Sequence, residues 1–117
     1  MKEEVLTEET LVKQLKEGSK EAFDKLYGKY KNMAIHTAYL ITGNQADSED
    51  VVQETFVKVW THVHALQNDS GFQSWMMQIL VRTAYRVAKK RKREIPDDDT
   101  VLRMENRTNP SPLDKTI

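Results

Sequence analysis

The stretch DSEDVVQETFVKVWTHV, residues 47–63, decides the fold. Its apolar residues Val51, Val52, Phe56, Val59, Trp60 and Val63 recur three and four apart, which gathers them on one side of a helix. Asp50 and Glu54 fall outside that stripe. A half-buried strand would need strict alternation, and neither this stretch nor any other pairs such alternation with hairpin turn signals. Asp47 is a capping residue type, so the helix is expected to begin after it. Glu49 and Asp50 then lie in the first turn, where the helix dipole favours acidic groups. The pattern carries the helix to about Ala65.

Working outward, the same periodicity repeats. Towards the N-terminus, Ser19 can accept an N–H bond at a helix start. A helix after it buries Phe23, Leu26, Tyr27, Tyr30, Met33, Ala34, Ala38 and Ile41, and stops at Gly43. Before it lies a short helix from about Glu8 to Glu17, between Thr7 and Gly18, with Leu11, Val12 and Leu15 on one face. Towards the C-terminus, residues 66–70 form a polar loop. Ser70 and Gln73 have the spacing of a capping box. A fourth helix from near Gly71 would bury Phe72, Trp75, Met76, Ile79, Leu80, Thr83 and Val87. It stops near Glu94, because Ile95 precedes Pro96 and such residues avoid the α region. All three prolines lie beyond residue 95, and all four glycines before it. The expected architecture is all-α, a compact bundle of about four helices over residues 1–95. An acidic, Pro-containing linker or extended tail follows over 96–117.

The chain has 117 residues, room for one core. Apolar residues are 38% and charged residues 31%, respectively below and above an average domain, so part of the chain is expected to be extended or exposed. The absence of Cys excludes a disulfide scaffold and thiolate chemistry. The charged start Met1-Lys2-Glu3-Glu4 has no apolar segment of a signal peptide, and no run is long enough to span a bilayer. The cytoplasm is the expected compartment. His36, His62 and His64 lack the spacing of a helical metal pair, and no cofactor is implied. No nucleophile motif, phosphate loop or acid–base constellation marks an enzyme.

A net charge of zero conceals segregation. Residues 82–93 carry seven positive charges and no negative one, while residues 94–117 carry six acidic and three basic groups. Arg82, Arg86, Lys89 or Lys90, and Arg93 make one stripe along the end of the fourth helix. A stripe of cations gains from counterion release on a phosphate chain. Gln73, Trp75, Gln78 and Tyr85 on the same helix, with Asn68, Asp69 and Ser70 in the loop before it, suit stacking and hydrogen bonding to unpaired bases. The plainer reading is a solvated helix end, in which case the domain is a helical protein-interaction adaptor.

In order and spacing, Leu26-Tyr27-x-x-Tyr30, then Ala46-Asp47-x-Glu49-Asp50-x-Val52-Gln53-Glu54-x-Phe56, then Phe72-x-x-Trp75-Met76, then the basic helix end, resemble the second conserved region of bacterial RNA polymerase sigma factors. The extracytoplasmic-function group fits best, over about residues 20–94. That resemblance implies a transcription-initiation module. The helix holding Asp50, Gln53, Glu54 and Trp60 would dock on the β′ clamp helices of core RNA polymerase. The loop Asn68-Asp69-Ser70 would receive a flipped base of the non-template minus-ten promoter element, with Gln73, Trp75, Gln78, Arg82, Arg86, Lys89, Lys90 and Arg93 melting and holding the strand. An anti-sigma factor covering these surfaces is implied as well. Family members often carry Asn where this chain has Arg82, Arg where it has Gln78, and Asp where it has Arg86. They also continue into a second helical domain, so the resemblance implies a chain cut short in the linker.

Overall fold

The structure, a computed structural model, describes residues 7–94; the expected linker over 96–117 lies outside the described residues. Four helices make the bundle: α1 (Glu8–Lys16), α2 (Lys20–Thr42), α3 (Gln45–His62) and α4 (Phe72–Glu94). Short 3-10 turns at Val63–Ala65 and Asp69–Gly71 carry the chain from α3 to α4. No described helix is long and apolar enough to cross a membrane.

The helix ends follow from local chemistry. Thr7 Oγ1 accepts the Thr10 amide, and Ser19 Oγ accepts the Ala22 amide. Each satisfies one of the donors a helix start leaves open. Gly43 closes α2 at φ +68°, left-handed backbone that a Cβ disfavours. Three expected helix ends change. Asn44, not Asp47, caps α3: its Oδ1 accepts the Asp47 amide at 2.8 Å. Asp47 thereby becomes the first-turn acidic residue, and Glu49 and Asp50 shift one turn along. At the other end α3 gives way to a 3-10 turn after His62, three residues before Ala65. Ser70 does not cap α4 either. Its hydroxyl donates to Asn68 Oδ1 at 2.8 Å within the 3-10 turn, and α4 begins at Phe72.

The core lies where α2, α3 and α4 meet. Leu26, Tyr30, Ala34 and Ala38 of α2 face Val51, Val52, Phe56 and Val59 of α3 and Phe72, Met76, Leu80 and Ala84 of α4, all buried. Small residues on α2 and α4 let the helices approach closely. Leu11, Val12 and Leu15 of α1 close one end of this core. Tyr30 is anchored by donating its hydroxyl to the Glu8 carboxylate, which also holds Lys29. Burial, then the Glu8 hydrogen bond and charge, push the Tyr30 phenol above its ordinary value. Among the expected stripes, Phe23, Tyr27, Met33, Ile41, Trp75, Ile79 and Val87 are only partly buried, and Trp60 stands 40% exposed at the edge.

Thr55 is fully buried on α3, and its hydroxyl has no hydrogen-bond partner. A buried hydroxyl without a partner bears a desolvation cost that a methyl of similar shape avoids. Thr55→Val is therefore expected to stabilise the domain by about 1 kcal/mol. The midpoint of urea unfolding should rise with an unchanged slope; a lower midpoint would show that the hydroxyl is satisfied in solution.

Candidate functional site

Two neighbouring surfaces carry the residues singled out by sequence. The first is the outer side of α3 and the groove it makes with α2. Asp50 and Gln53 are exposed. Gln53 and Trp60 line a groove of about 590 Å³ with Lys20, Phe23, Asp24, Tyr27, Phe56 and Val57. The aromatic walls interlock edge-to-face: Phe23 on Trp60 at 5.4 Å between centroids, and Tyr27 on Phe56 at 4.9 Å. Such pairs hold rings in one orientation. Trp60 is both braced by Phe23 and open to solvent, so it serves packing and surface at once. The sequence reading passed over Val57, which is 60% exposed. Its place four residues after Gln53 and three before Trp60 was the available signal.

The second surface is the side of α4 turned away from Met76, Leu80 and Ala84. Trp75, Gln78, Arg82, Arg86, Lys89 and Arg93 succeed one another at three- and four-residue intervals along it, as a helix requires for a shared face. Gln78, Arg82, Arg86, Lys89, Lys90 and Arg93 are exposed, while Trp75 is half-buried and tilted against Phe72 at 6.1 Å. Gln73 is exposed on the adjoining flank of the helix, where it shares a shallow groove with Met77 and Val81 and with Gln78 and Arg82 of that face. Arg91 of the basic block turns inward instead and binds Asp47 at 2.6 Å, tying the end of α4 to the start of α3.

The loop before α4 is fastened from outside. Lys16 of α1 donates to the Leu66 carbonyl at 2.6 Å and to Asp69 Oδ1 at 2.7 Å. Lys13 stands 3.6 Å from the other Asp69 oxygen. His64 Nε2 donates to the Lys16 carbonyl at 2.9 Å. Asp69 is thus drawn toward α1, leaving Asn68 and Ser70 as the exposed members of the expected base-binding trio. Nothing local in the sequence announced this staple, since its two ends lie 53 residues apart.

The Lys16 hydrogen bond, against a smaller opposing effect of burial and with the charges of Lys16 and Lys13, holds the Asp69 carboxyl below its ordinary value. A depressed carboxylate pKa stabilises the fold above the unfolded value, and that contribution is lost as pH falls through the folded one. Lys16→Met is expected to raise the Asp69 pKa toward the ordinary carboxylate range in an NMR titration, with Lys13 left to hold part of the depression. Amide exchange over 66–71 should quicken as well. An unmoved Asp69 pKa would show that Lys16 does not hold this loop.

One contact joins the two surfaces. Glu54 of α3 accepts from Arg86 Nη2 through both carboxylate oxygens, at 2.6 and 2.5 Å, and pairs with Lys58 at 3.2 Å. Burial pushes the Glu54 carboxyl up, but the hydrogen bonds and charges of Lys58 and Arg86 outweigh it and hold it below the ordinary range. A residue expected to face polymerase and one expected to face DNA are therefore bound to each other.

Residues 26–94 match the profile of the Sigma-70 region 2 family. This chain belongs to that family. Among curated proteins, this region 2 chain is 33% identical over 98 residues to the ECF RNA polymerase sigma-E factor of Haemophilus influenzae, covering 82% of this chain and 50% of that protein. It is likewise 33% identical over 102 residues to the proteins of the same name from Escherichia coli K12 and Salmonella typhimurium LT2, covering 84% of this chain and 52% of each. The region 2 chain thus spans about half the length of these relatives. No solved structure gives a significant match. Within the family match fall all the expected site residues, from Asp50 to Arg93, whereas the staple residues Lys13 and Lys16 precede it.

Proposed function

We propose that this region 2 domain is a non-enzymatic transcription-initiation module that works in the cytoplasm. It docks on core RNA polymerase and holds the unpaired non-template strand of the minus-ten promoter element. The observation that carries this reading is the outward face of α4, cationic over its C-terminal half from Arg82 to Arg93 and bearing Gln78 and the half-buried Trp75 before that, in a chain of the sigma-70 region 2 family. Cations spaced along a helix follow a backbone, and an indole edge beside them offers a stacking surface. Asn68 and Ser70, exposed on a stapled loop, are placed for the edges of an extruded base; extrusion takes a base out of the stack, where its edge can be read.

Docking is assigned to α3 and its groove with α2, where Asp50, Gln53 and Trp60 lie beside Val57. An anti-sigma factor that covers either surface would silence the module. Residues 96–117 are assigned as an acidic, Pro-containing linker.

The test compares single-stranded minus-ten-like oligonucleotides with duplex controls across salt. Single-strand preference is expected, with a log–log salt slope of about −3 for ~4 phosphate contacts. Absence of binding by the folded chain would remove strand recognition and leave only a docking adaptor. For docking, Asp50→Lys is the cleaner probe, because Asp50 is exposed and its charge lies outside the apolar stripe. Glu54→Lys would instead place a third cation beside Lys58 and Arg86. Asp50→Lys is expected to abolish binding to a β′ clamp-helix fragment with helicity intact, measured by pull-down and circular dichroism. Undiminished binding would remove this face from the docking surface.

A further inference from the structure

The cleft between α3 and α4, of about 250 Å³, is lined by Lys58, Ile79, Arg82, Thr83 and Arg86. Three of its five walls are cationic, and the carboxylate beside them is Glu54. Lys58 is aimed by Thr83, whose buried hydroxyl accepts from Nζ at 3.3 Å. Arg82 makes no ion pair with a described residue. The Arg86–Glu54 pair is not the fork in which two guanidinium nitrogens each meet one oxygen. A single nitrogen, Nη2, spans both oxygens, so the other donors of Arg86 are not committed to Glu54. All three members of the pair and its neighbour are around half-exposed, Arg86 at 54%, Lys58 at 40% and Glu54 at 39%. Partly hydrated pairs of this kind are weak and readily exchanged.

We infer that this cleft is a phosphodiester site and that Glu54 is its resident counter-ion, a carboxylate standing where a strand phosphate binds. The inference rests on the reading of α4 as a strand-binding helix. A carboxylate and a phosphate present the same pair of anionic oxygens to a guanidinium. A phosphate entering the cleft meets Arg82, takes over Lys58 and Arg86, and displaces Glu54 into solvent on the α3 side. The free domain therefore holds its own affinity for nucleic acid down, and the strand must compete with Glu54. Lys58, on the helix assigned to polymerase docking, becomes a strand contact.

The test is the affinity of the full chain for a short labelled single strand, by fluorescence anisotropy over a salt series. Wild type is compared with Glu54→Gln, which keeps length and helix propensity but not charge, and with Glu54→Gln combined with Lys58→Met. Each freed cation is worth about fivefold at ~0.1 M salt and about 0.7 in slope. Glu54→Gln is therefore expected to bind roughly five- to twenty-five-fold more tightly with a steeper slope, and adding Lys58→Met should take back about fivefold. Circular dichroism checks that both variants keep their helices. Wild-type binding with Glu54→Gln unchanged or weaker overturns the counter-ion role and leaves the strand-binding reading standing. A gain that Lys58→Met does not reduce overturns the cleft. No strand binding by any folded variant overturns the reading of α4 itself. Inorganic pyrophosphate is the second probe. Binding of pyrophosphate by Glu54→Gln without tighter strand binding would make this a site for free anions and overturn the assignment to a strand.

Discussion

Phe72→Ala is expected to unfold much of the domain's stability margin. Phe72 is fully buried at the first position of α4, with Tyr30 of α2 at 6.0 Å and Trp75 at 6.1 Å between ring centroids. Removing a buried phenyl ring loses its transfer free energy and leaves a cavity that rigid helices fill only in part, together about 3–5 kcal/mol. Domains of this size hold about 5–15 kcal/mol in all. The melting temperature should fall by about 12–40 °C, read by circular dichroism at 222 nm, at the rate expected for a 60–100-residue domain. A loss under about 0.5 kcal/mol would mean that Phe72 does not pack as described, since that is the range of surface changes. The effect should not stop at stability. Phe72 follows the stapled loop directly, so a cavity there loosens the geometry of Asn68 and Ser70 even in the fraction that stays folded.

The second large effect concerns charge. Arg82, Lys89 and Arg93 are exposed on the outer face of α4 and make no ion pair with a described residue. Replacing all three by alanine removes three of the expected phosphate contacts. At ~0.1 M salt each is worth about fivefold, so single-strand affinity should fall roughly a hundredfold and the salt slope should flatten by about 2. Alanine favours helix at each position, so the helical signal and the unfolding midpoint should hold. A hundredfold loss with an unchanged slope would point to disturbed stacking at Trp75 in place of lost phosphate contacts. Retained affinity would move the strand to another face of the bundle.

The sequence is legible where the chemistry is local. Thr7 and Ser19 cap because their hydroxyls reach an amide three residues on, and Gly43 ends α2 because only glycine takes φ +68° without strain. The displaced cap of α3 is also a local matter: Asn44 follows the left-handed glycine directly, and Asn44 with Asp47 three residues on is itself a capping pattern. Asp47, once relieved of that duty, was available to Arg91. The contacts that shape the site were not legible, because they join residues far apart in the chain. Asp69 looked like part of an open base pocket until Lys16 of α1 came beside it. Arg86 looked like an uncommitted cation until the bundle put Glu54 against it. Periodicity tells which side of a helix faces out, and it is silent on which outward side chains meet those of the next helix. Trp60 marks the same limit, since a residue at the margin of a stripe is inside or outside according to what its neighbours cover.

The family match begins at residue 26, but the folded body does not. Leu11, Val12, Leu15 and Ala22 sit in the shared core, and Lys16 grips the loop that precedes α4. What is inherited as one recognisable unit and what must be present to fold are thus different lengths of chain. A fragment trimmed to the recognisable unit would keep every proposed contact residue, yet lose part of its interior and the clasp on the loop before α4. Relatives that differ in their first helix would then carry the same α4 behind a differently held loop, and the proposed strand contacts of that loop could diverge without a change in the loop itself.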